Sequence, residues 1–352
     1  MSSLPDLTAI DLQSLTAALR RGGLLQDGRV AGINVDGLRD TILSRVARLH
    51  LTYDGSTWLA PNSVFLKSAL PERPADLWRG YRHETEFYRN VAPRLAKGVV
   101  PGCFQAHFDE TTKDFQLLLE DLTETHALLQ TPWPLPPTAE ECRLLLSAWA
   151  NFHAAWWNAP ELGVAIGTWT ETFDQQMQDF QQRFEQFDRQ LGERLSPERR
   201  YIYIRLIDNA DRLHARYHSR RDMTIVHGDA HPWNVLLPNR AGDSARIIDW
   251  DCWRLDVATD DISYMMAMHW FPDYRRRFER DMLDFYHDEL LRHGVTGYDR
   301  RALWDDYRLS TLWHIVTPLY QCTGKLPPLI WWNHLDRIFS AVEDLDCREL
   351  LA

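Results

Sequence analysis

The stretch Ile225-Val226-His227-Gly228-Asp229-Ala230-His231-Pro232-Trp233-Asn234-Val235-Leu236-Leu237 decides how this chain is read. A second stretch, Ala245-Arg246-Ile247-Ile248-Asp249-Trp250-Asp251, completes it. In each, a short apolar run of strand character adjoins a loop that carries Asp or Asn. Asp229, Asn234 and Asp249 are therefore expected at adjacent strand ends. Phosphoryl transfer uses a trio of this kind. One carboxylate accepts the proton of the attacking hydroxyl, while a carboxylate and an amide hold magnesium against the nucleotide phosphates. Magnesium takes oxygen donors, so Asp and Asn suit it where His and Cys do not. Asn234 follows Asp229 by five residues, as in the pattern H-R-D-L-x-x-x-N, and Asp249 follows Asp229 by twenty.

Upstream lie the two other groups such a site needs. Lys67 is an isolated base within the apolar run Ser63–Ala69 (SVFLKSA), and Glu84 follows in RHETEFYR. Lys67 would hold the α- and β-phosphates and Glu84 would hold Lys67. Glu86 is the rival partner, but two positions along it occupies another helix face. Around these residues the texture is mixed. Arg45–Tyr53 alternates as a half-buried strand does, and Cys103–Asp109 and Phe115–Glu120 read as two more strands. Arg79–Leu95 has helical spacing, and residues up to about 30 read as a short amphipathic helix closed by Gly22-Gly23. After the proline-rich Thr131–Thr138 the pattern turns helical: Glu140–Trp157, Phe173–Leu191, Pro197–His218 and several segments past Asp260. The strand-rich island Thr224–Asp249 interrupts them. The expected division is residues 1–122, with the sheet and the Lys/Glu pair, and residues 123–352, helical, with the catalytic loop and an acceptor pocket.

HGDxHxxN followed by an I-D-W-D strand end resembles the aminoglycoside phosphotransferase and choline kinase superfamily. LLLEDL (Leu117–Leu122), the RHETEFYR helix and the tryptophan-rich tail look most like its ecdysteroid-kinase-like branch. The resemblance spans roughly residues 30 to 345. It implies an α+β, bilobal protein-kinase-like fold with a small β-rich N-lobe and a larger, mainly helical C-lobe. The implied activity is that of a small-molecule kinase moving the γ-phosphoryl group of ATP, or of GTP, to a hydroxyl of an aminoglycoside-, choline- or steroid-like acceptor. Asp229 would then be the catalytic base, Asn234 and Asp249 the Mg2+ ligands, and Glu120–Leu122 the hinge whose backbone meets the adenine. The chain departs from the kinase pattern over the phosphates. Where G-x-G-x-x-G is usual, Asp36–Arg45 (DGLRDTILSR) has the single Gly37. Thr41 and Ser44 are candidate hydroxyl donors there. No A-P-E follows Asp249, which argues against a protein kinase with an activation segment.

Composition narrows the alternatives. Across 352 residues, 50 acidic and 39 basic side chains give a net charge of −11, the reverse of a nucleic-acid binder. No apolar run reaches the roughly 18 residues of a membrane helix, and the N-terminus lacks the basic start of a secretory signal. The five cysteines are scattered, with no CxxC, so neither a disulfide framework nor a zinc knuckle is expected, and the reading is a reduced, cytoplasmic protein. Oligomeric state has no sequence signature. Two other classes stay in view: a nucleotide-binding pseudokinase scaffold, and a metal-dependent hydrolase built on His227, Asp229 and His231. His227 reads better as a structural residue, and Asp261 as a group that fixes the catalytic loop or caps the next helix. Of the fifteen tryptophans, Trp149, Trp156 and Trp157 read as core of one helix. Trp253, Trp270, Trp313, Trp331 and Trp332 fall where an acceptor pocket would lie, though most of them should be core.

Overall fold

The computed structural model describes residues 12–56, 59–70, 78–129, 135–167 and 172–352. Part of the proline-rich connector, residues 131–134, and the start of the N-terminal segment lie outside them. Two compact units are formed. One runs through Ala127 and takes in Pro238–Cys252; the other comprises Leu128–Leu237 and Trp253–Ala352.

In the first unit, helix α1 (Leu12–Arg21) is followed by strands β1 (Arg29–Asp40), β2 (Arg45–Asp54) and β3 (Ser63–Ser68). Helix α2 (Trp78–Glu86) comes next, then β4 (Cys103–Phe108) and β5 (Phe115–Glu120). The strands form a five-stranded antiparallel sheet in the order β1-β2-β3-β5-β4. Successive strand residues face opposite sides. Val64 and Leu66 of β3 therefore join Leu15, Ala18 and Leu19 of α1, with Ala47, Leu49 and Leu118, in one buried cluster. Lys67 is turned to the other face, where α2 packs on β4 and β5. Tyr81 of α2 stacks on Phe115 of β5 at 4.7 Å.

Strand β1 was not expected. Gly28, Gly32 and Asp36-Gly37 break its pattern, and its alternation is weak because most of its residues are partly or fully exposed at the sheet edge. Its pairing with β2 slips between Val30 and Gly32 and again between Asp36 and Arg39, the mark of bulges that blunt an edge. Gly32 leaves room there: a Cβ would lie 2.7 Å from Thr52 Oγ1 and would force that side chain to move. Helix α2 also ends earlier than its spacing suggested, passing at Phe87–Val91 into a π-turn and then a 3-10 turn that contains Pro93.

Strand β6 (His126–Leu128) follows, and helices then dominate: α3 (Ala139–Trp156), α4 (Phe173–Leu191), α5 (Pro197–Asp208) and α6 (Ala210–His218). Capping boxes fix two of their starts, Thr138 with Glu141 and Thr172 with Gln175. The continuous helix expected over Pro197–His218 is broken at Asn209, where the backbone leaves helical geometry at φ −106° and ψ 7° while the side-chain amide donates to Arg205 O. Short strands β7 (Thr224–Val226), β8 (Val235–Pro238), β9 (Arg246–Ile247) and β10 (Arg254–Asp256) come next, with β7 and β10 paired antiparallel. Helices α7 (Thr259–Ser263), α8 (Pro272–Arg292), α9 (Arg300–Trp313), α10 (Val316–Thr323) and α11 (Pro328–Asp344) complete the second unit. Helix α3 packs on α8 and α10 on α11. Trp149, Trp156, Trp253, Trp270 and Trp331 are buried. No helix among the described residues is long and apolar enough to cross a membrane.

Candidate active site

Three of the expected residues meet in the first unit. Lys67 Nζ donates to Glu84 Oε1 at 2.9 Å and to Asp249 Oδ1 at 2.5 Å. Glu84 is buried and the lysine nearly so, with side chains 2% and 11% exposed, while Asp249 is 41% exposed. Glu86 turns away and pairs with Arg82, so Glu84 is the partner. Burial alone would discharge Lys67, but the two carboxylates outweigh it and hold the ammonium above the ordinary lysine range. Burial pushes the Glu84 carboxyl up to about 7, with Lys67 opposing.

Asp249 reaches this point because its segment is anchored in the first unit. Ile247 N donates to Val99 O, and Trp250, fully buried, stacks on Phe87 with ring centres 3.8 Å apart. Phe87 lies three residues past Glu84, so the stack fixes the Asp249 loop to the segment that carries the lysine's other partner. Asp249 itself has φ +70°, a left-handed conformation that a non-glycine residue adopts at a cost of order 1 kcal/mol or more. Beside the trio is a cavity of about 230 Å³ lined by Leu43, Ser44, Lys67, Tyr81, Glu84 and Asp251, among others.

Glu120 and Leu122 are also in this unit. The Glu120 amide donates to Gly102 O, and its carboxylate accepts from the Gly102 amide. The Leu122 carbonyl accepts from the Thr125 and His126 amides. Next to them Asp121 accepts from Ser63, from Thr123 and from Arg48.

Asp229 and Asn234 meet in the second unit. Asn234 Nδ2 donates to Asp229 O at 2.9 Å and to Asp229 Oδ2 at 3.3 Å, leaving its Oδ1 as the oxygen donor. Gly228, at φ +82°, turns the chain into the loop. The loop is held from below by Asp261, fully buried, which accepts from the His227 amide at 2.7 Å and the Gly228 amide at 2.9 Å. His153 of α3 lies against the same carboxylate, Nε2 to Oδ2 3.0 Å, with Tyr286 OH at its Nδ1. Burial would raise the Asp261 carboxyl; the bonds and charges of His153 and His227 lower it below its usual value. Asp261 thus fixes the Asp229 loop. His227 is structural as well, its Nδ1 accepting from the Asp229 amide at 3.2 Å.

Tyr264 OH donates to Asp229 Oδ1 at 2.6 Å, and His231 Nε2 is 3.4 Å from Oδ2. Burial would raise Asp229, but His231 and the Tyr264 hydroxyl overcome it and hold the carboxyl well below its ordinary value. Sequence reasoning missed Tyr264 and His153. The signal for Tyr264 was its place three residues after Asp261, one helical turn on; His153 carried none. The grouping of His227, Asp229 and His231 needed by a metal hydrolase is not formed: among the described residues no three His, Cys, Asp or Glu side chains are arranged to hold a metal ion.

The model of the ecdysteroid kinase-like family matches residues 39–295. Among curated proteins no relative matches the chain. Solved structures share the fold at low identity. A Ralstonia eutropha JMP134 protein provisionally described as an aminoglycoside phosphotransferase superposes with TM-score 0.58 at 15% identity, over 97% of this chain and 98% of its own. A microcompartment-associated aminopropanol kinase gives 0.54 at 10%, over 96% and 97%. An ADP-bound aminoglycoside phosphotransferase gives 0.51 at 11%, over 96% and 99%. The fold is the α+β protein-kinase-like fold of small-molecule phosphotransferases.

Proposed function

This chain belongs to the ecdysteroid kinase-like family, and from that premise we propose that it transfers the γ-phosphoryl group of ATP, or of GTP, to a hydroxyl of a small acceptor. The observation that carries the reading is the buried Lys67 ammonium held between Glu84 and Asp249. A lysine fixed in this way is a charged, preorganised donor for phosphate oxygens.

Each unit supplies part of the chemistry. In the first, Lys67 binds the α- and β-phosphates and Glu84 keeps it in place. The adenine is met by the hinge at Glu120–Leu122; the Glu120 amide and the Leu122 carbonyl are already used, and among the described residues the Leu122 amide has no backbone partner. In the second, Asp229 receives the acceptor hydroxyl. With its carboxyl held low by Tyr264 and His231, Asp229 is a weak base, so its main work is to orient the hydroxyl and take the proton late, as suits a loose phosphoryl-transfer transition state. Asp249 and the Asn234 Oδ1 are hard oxygen donors of the kind Mg2+ requires. A magnesium ion held by either residue would neutralise charge on the phosphates.

The test is the thermal stability of wild type and Asp249→Ala with Mg·ATP and with Mg·GTP. At 100 times its dissociation constant a nucleotide stabilises by about 2.7 kcal/mol. A rise in the wild-type melting temperature that shrinks in the variant is expected. No rise with either nucleotide sinks the proposal. ADP release in an acceptor screen, lost in Asp229→Ala, separates a working kinase from a scaffold that only binds nucleotide.

A further inference from the structure

Most kinases cover the nucleotide phosphates with a flexible glycine-rich loop. Here the turn between β1 and β2, Thr41-Ile42-Leu43-Ser44, has no glycine, and Gly37 lies back within the bulged part of β1. The turn is closed by its own side chains. The Thr41 amide donates to Ser44 O at 2.7 Å, the Ser44 amide to Thr41 Oγ1 at 3.0 Å, and the two hydroxyls are 3.1 Å apart. It is also tied from outside: Tyr81 OH donates to Leu43 O at 2.6 Å and accepts from the Leu70 amide at 3.2 Å. The Tyr81 ring is buried and stacked flat on Phe115, so the hydroxyl has little freedom to leave.

We propose that Tyr81 is a positioning residue that fixes the Thr41–Ser44 turn as a rigid phosphate cover in place of a glycine-rich loop. The inference rests on the nucleotide reading above and deepens it. Leu43 and Ser44 line the same cavity as Lys67. The Ile42 and Leu43 amides have no hydrogen-bond partner among the described residues, and they are the donors that the turn can offer to phosphate oxygens. Tyr81 and Glu84 are three residues apart on α2, on one face, so a single helix sets both the turn and the lysine. A cover held in advance gives up less freedom when the phosphates bind.

Tyr81→Phe keeps the stacked ring and removes only the hydroxyl. Affinities for Mg·ATP and for adenosine, which has no phosphates, are measured by calorimetry and displacement on wild type and variant. The variant is expected to bind Mg·ATP roughly five- to tenfold more weakly, as befits loss of the hydroxyl's tie to Leu43 O, with adenosine affinity unchanged. Thr41→Val opens the turn from its other end, on the protein surface, and is expected to reproduce this ATP-only loss. Unchanged ATP affinity in both variants overturns the proposal, and so does an equal loss for ATP and adenosine, the result of a merely structural role. A wild type that binds neither ligand overturns the nucleotide reading itself, an outcome plainly distinct from a wild type that binds ATP and a Tyr81→Phe variant that binds it equally well.

Discussion

The lysine site of the first unit and the Asp229 loop of the second are fixed by different physics. Lys67 is held by carboxyl side chains that come from far apart in the chain, Glu84 seventeen residues on and Asp249 182 residues on. The Asp229 loop is held through its backbone: Asp261 captures two consecutive amides, and Asn234 folds back on Asp229 from five residues away. The first arrangement tunes charge and leaves Asp249 41% exposed, available to other partners. The second fixes shape, with a buried carboxylate that has no solvent to replace its bonds. The lesson is that a buried charge held by side chains tolerates a partly open partner, whereas a loop held through its backbone needs those amides satisfied from within.

That contrast breaks most clearly at Asp261. Asp261→Ala leaves two buried amides and His153 without their acceptor, and a loss of about 3–5 kcal/mol is expected, measured as a fall in the urea midpoint. A loss under about 1 kcal/mol would mean that the loop does not depend on this carboxylate. A smaller effect is expected at Tyr264. Tyr264→Phe removes one donor from Asp229 while the ring stays in place. Turnover should fall about tenfold with the melting temperature nearly unchanged; an equal loss of both would make Tyr264 part of the scaffold instead.

The smallest effect tests whether charge also governs the first unit away from Lys67. At Asp121 burial favours the neutral acid, but bonds from Ser63, Thr123 and Arg48 overcome it and bring the carboxyl down to about 2. A folded value below the unfolded one of about 3.9 means stability that is present above pH 4 and lost as pH falls through about 2. Asp121→Asn should therefore be less stable than wild type, by on the order of 1 kcal/mol, at pH 6, with the gap closing towards pH 2. A gap that persists at pH 2 would assign the difference to shape rather than charge.

Much of the site was legible because the chain itself enforces it. The spacing of Asp229 and Asn234 is too short for the two to be far apart once Gly228 turns the loop, and strand alternation alone sets Lys67 opposite Val64 and Leu66. Strands β2 to β5 and the helices α3 and α4 were likewise readable from period and caps. Strand β1 was not, since an edge strand with bulges and two exposed faces loses the alternation on which such a reading depends. The break at Asn209 was hidden for a related reason: a single residue leaves helical geometry there without a change of pattern.

The sequence by itself determined the kinase-like order of Lys67, Glu84, Asp229, Asn234 and Asp249, because covalent spacing and side-chain chemistry act within a few residues. Only the tertiary structure decided that Trp250 stacked on Phe87 fastens the Asp249 segment into the first unit, and that His153 and Tyr264 join Asp261 in holding the Asp229 loop. Those choices belong to side chains packed against partners far off in the chain, 35 residues away for Tyr264 and 108 for His153. There partner selection follows from burial and shape, which no local spacing encodes.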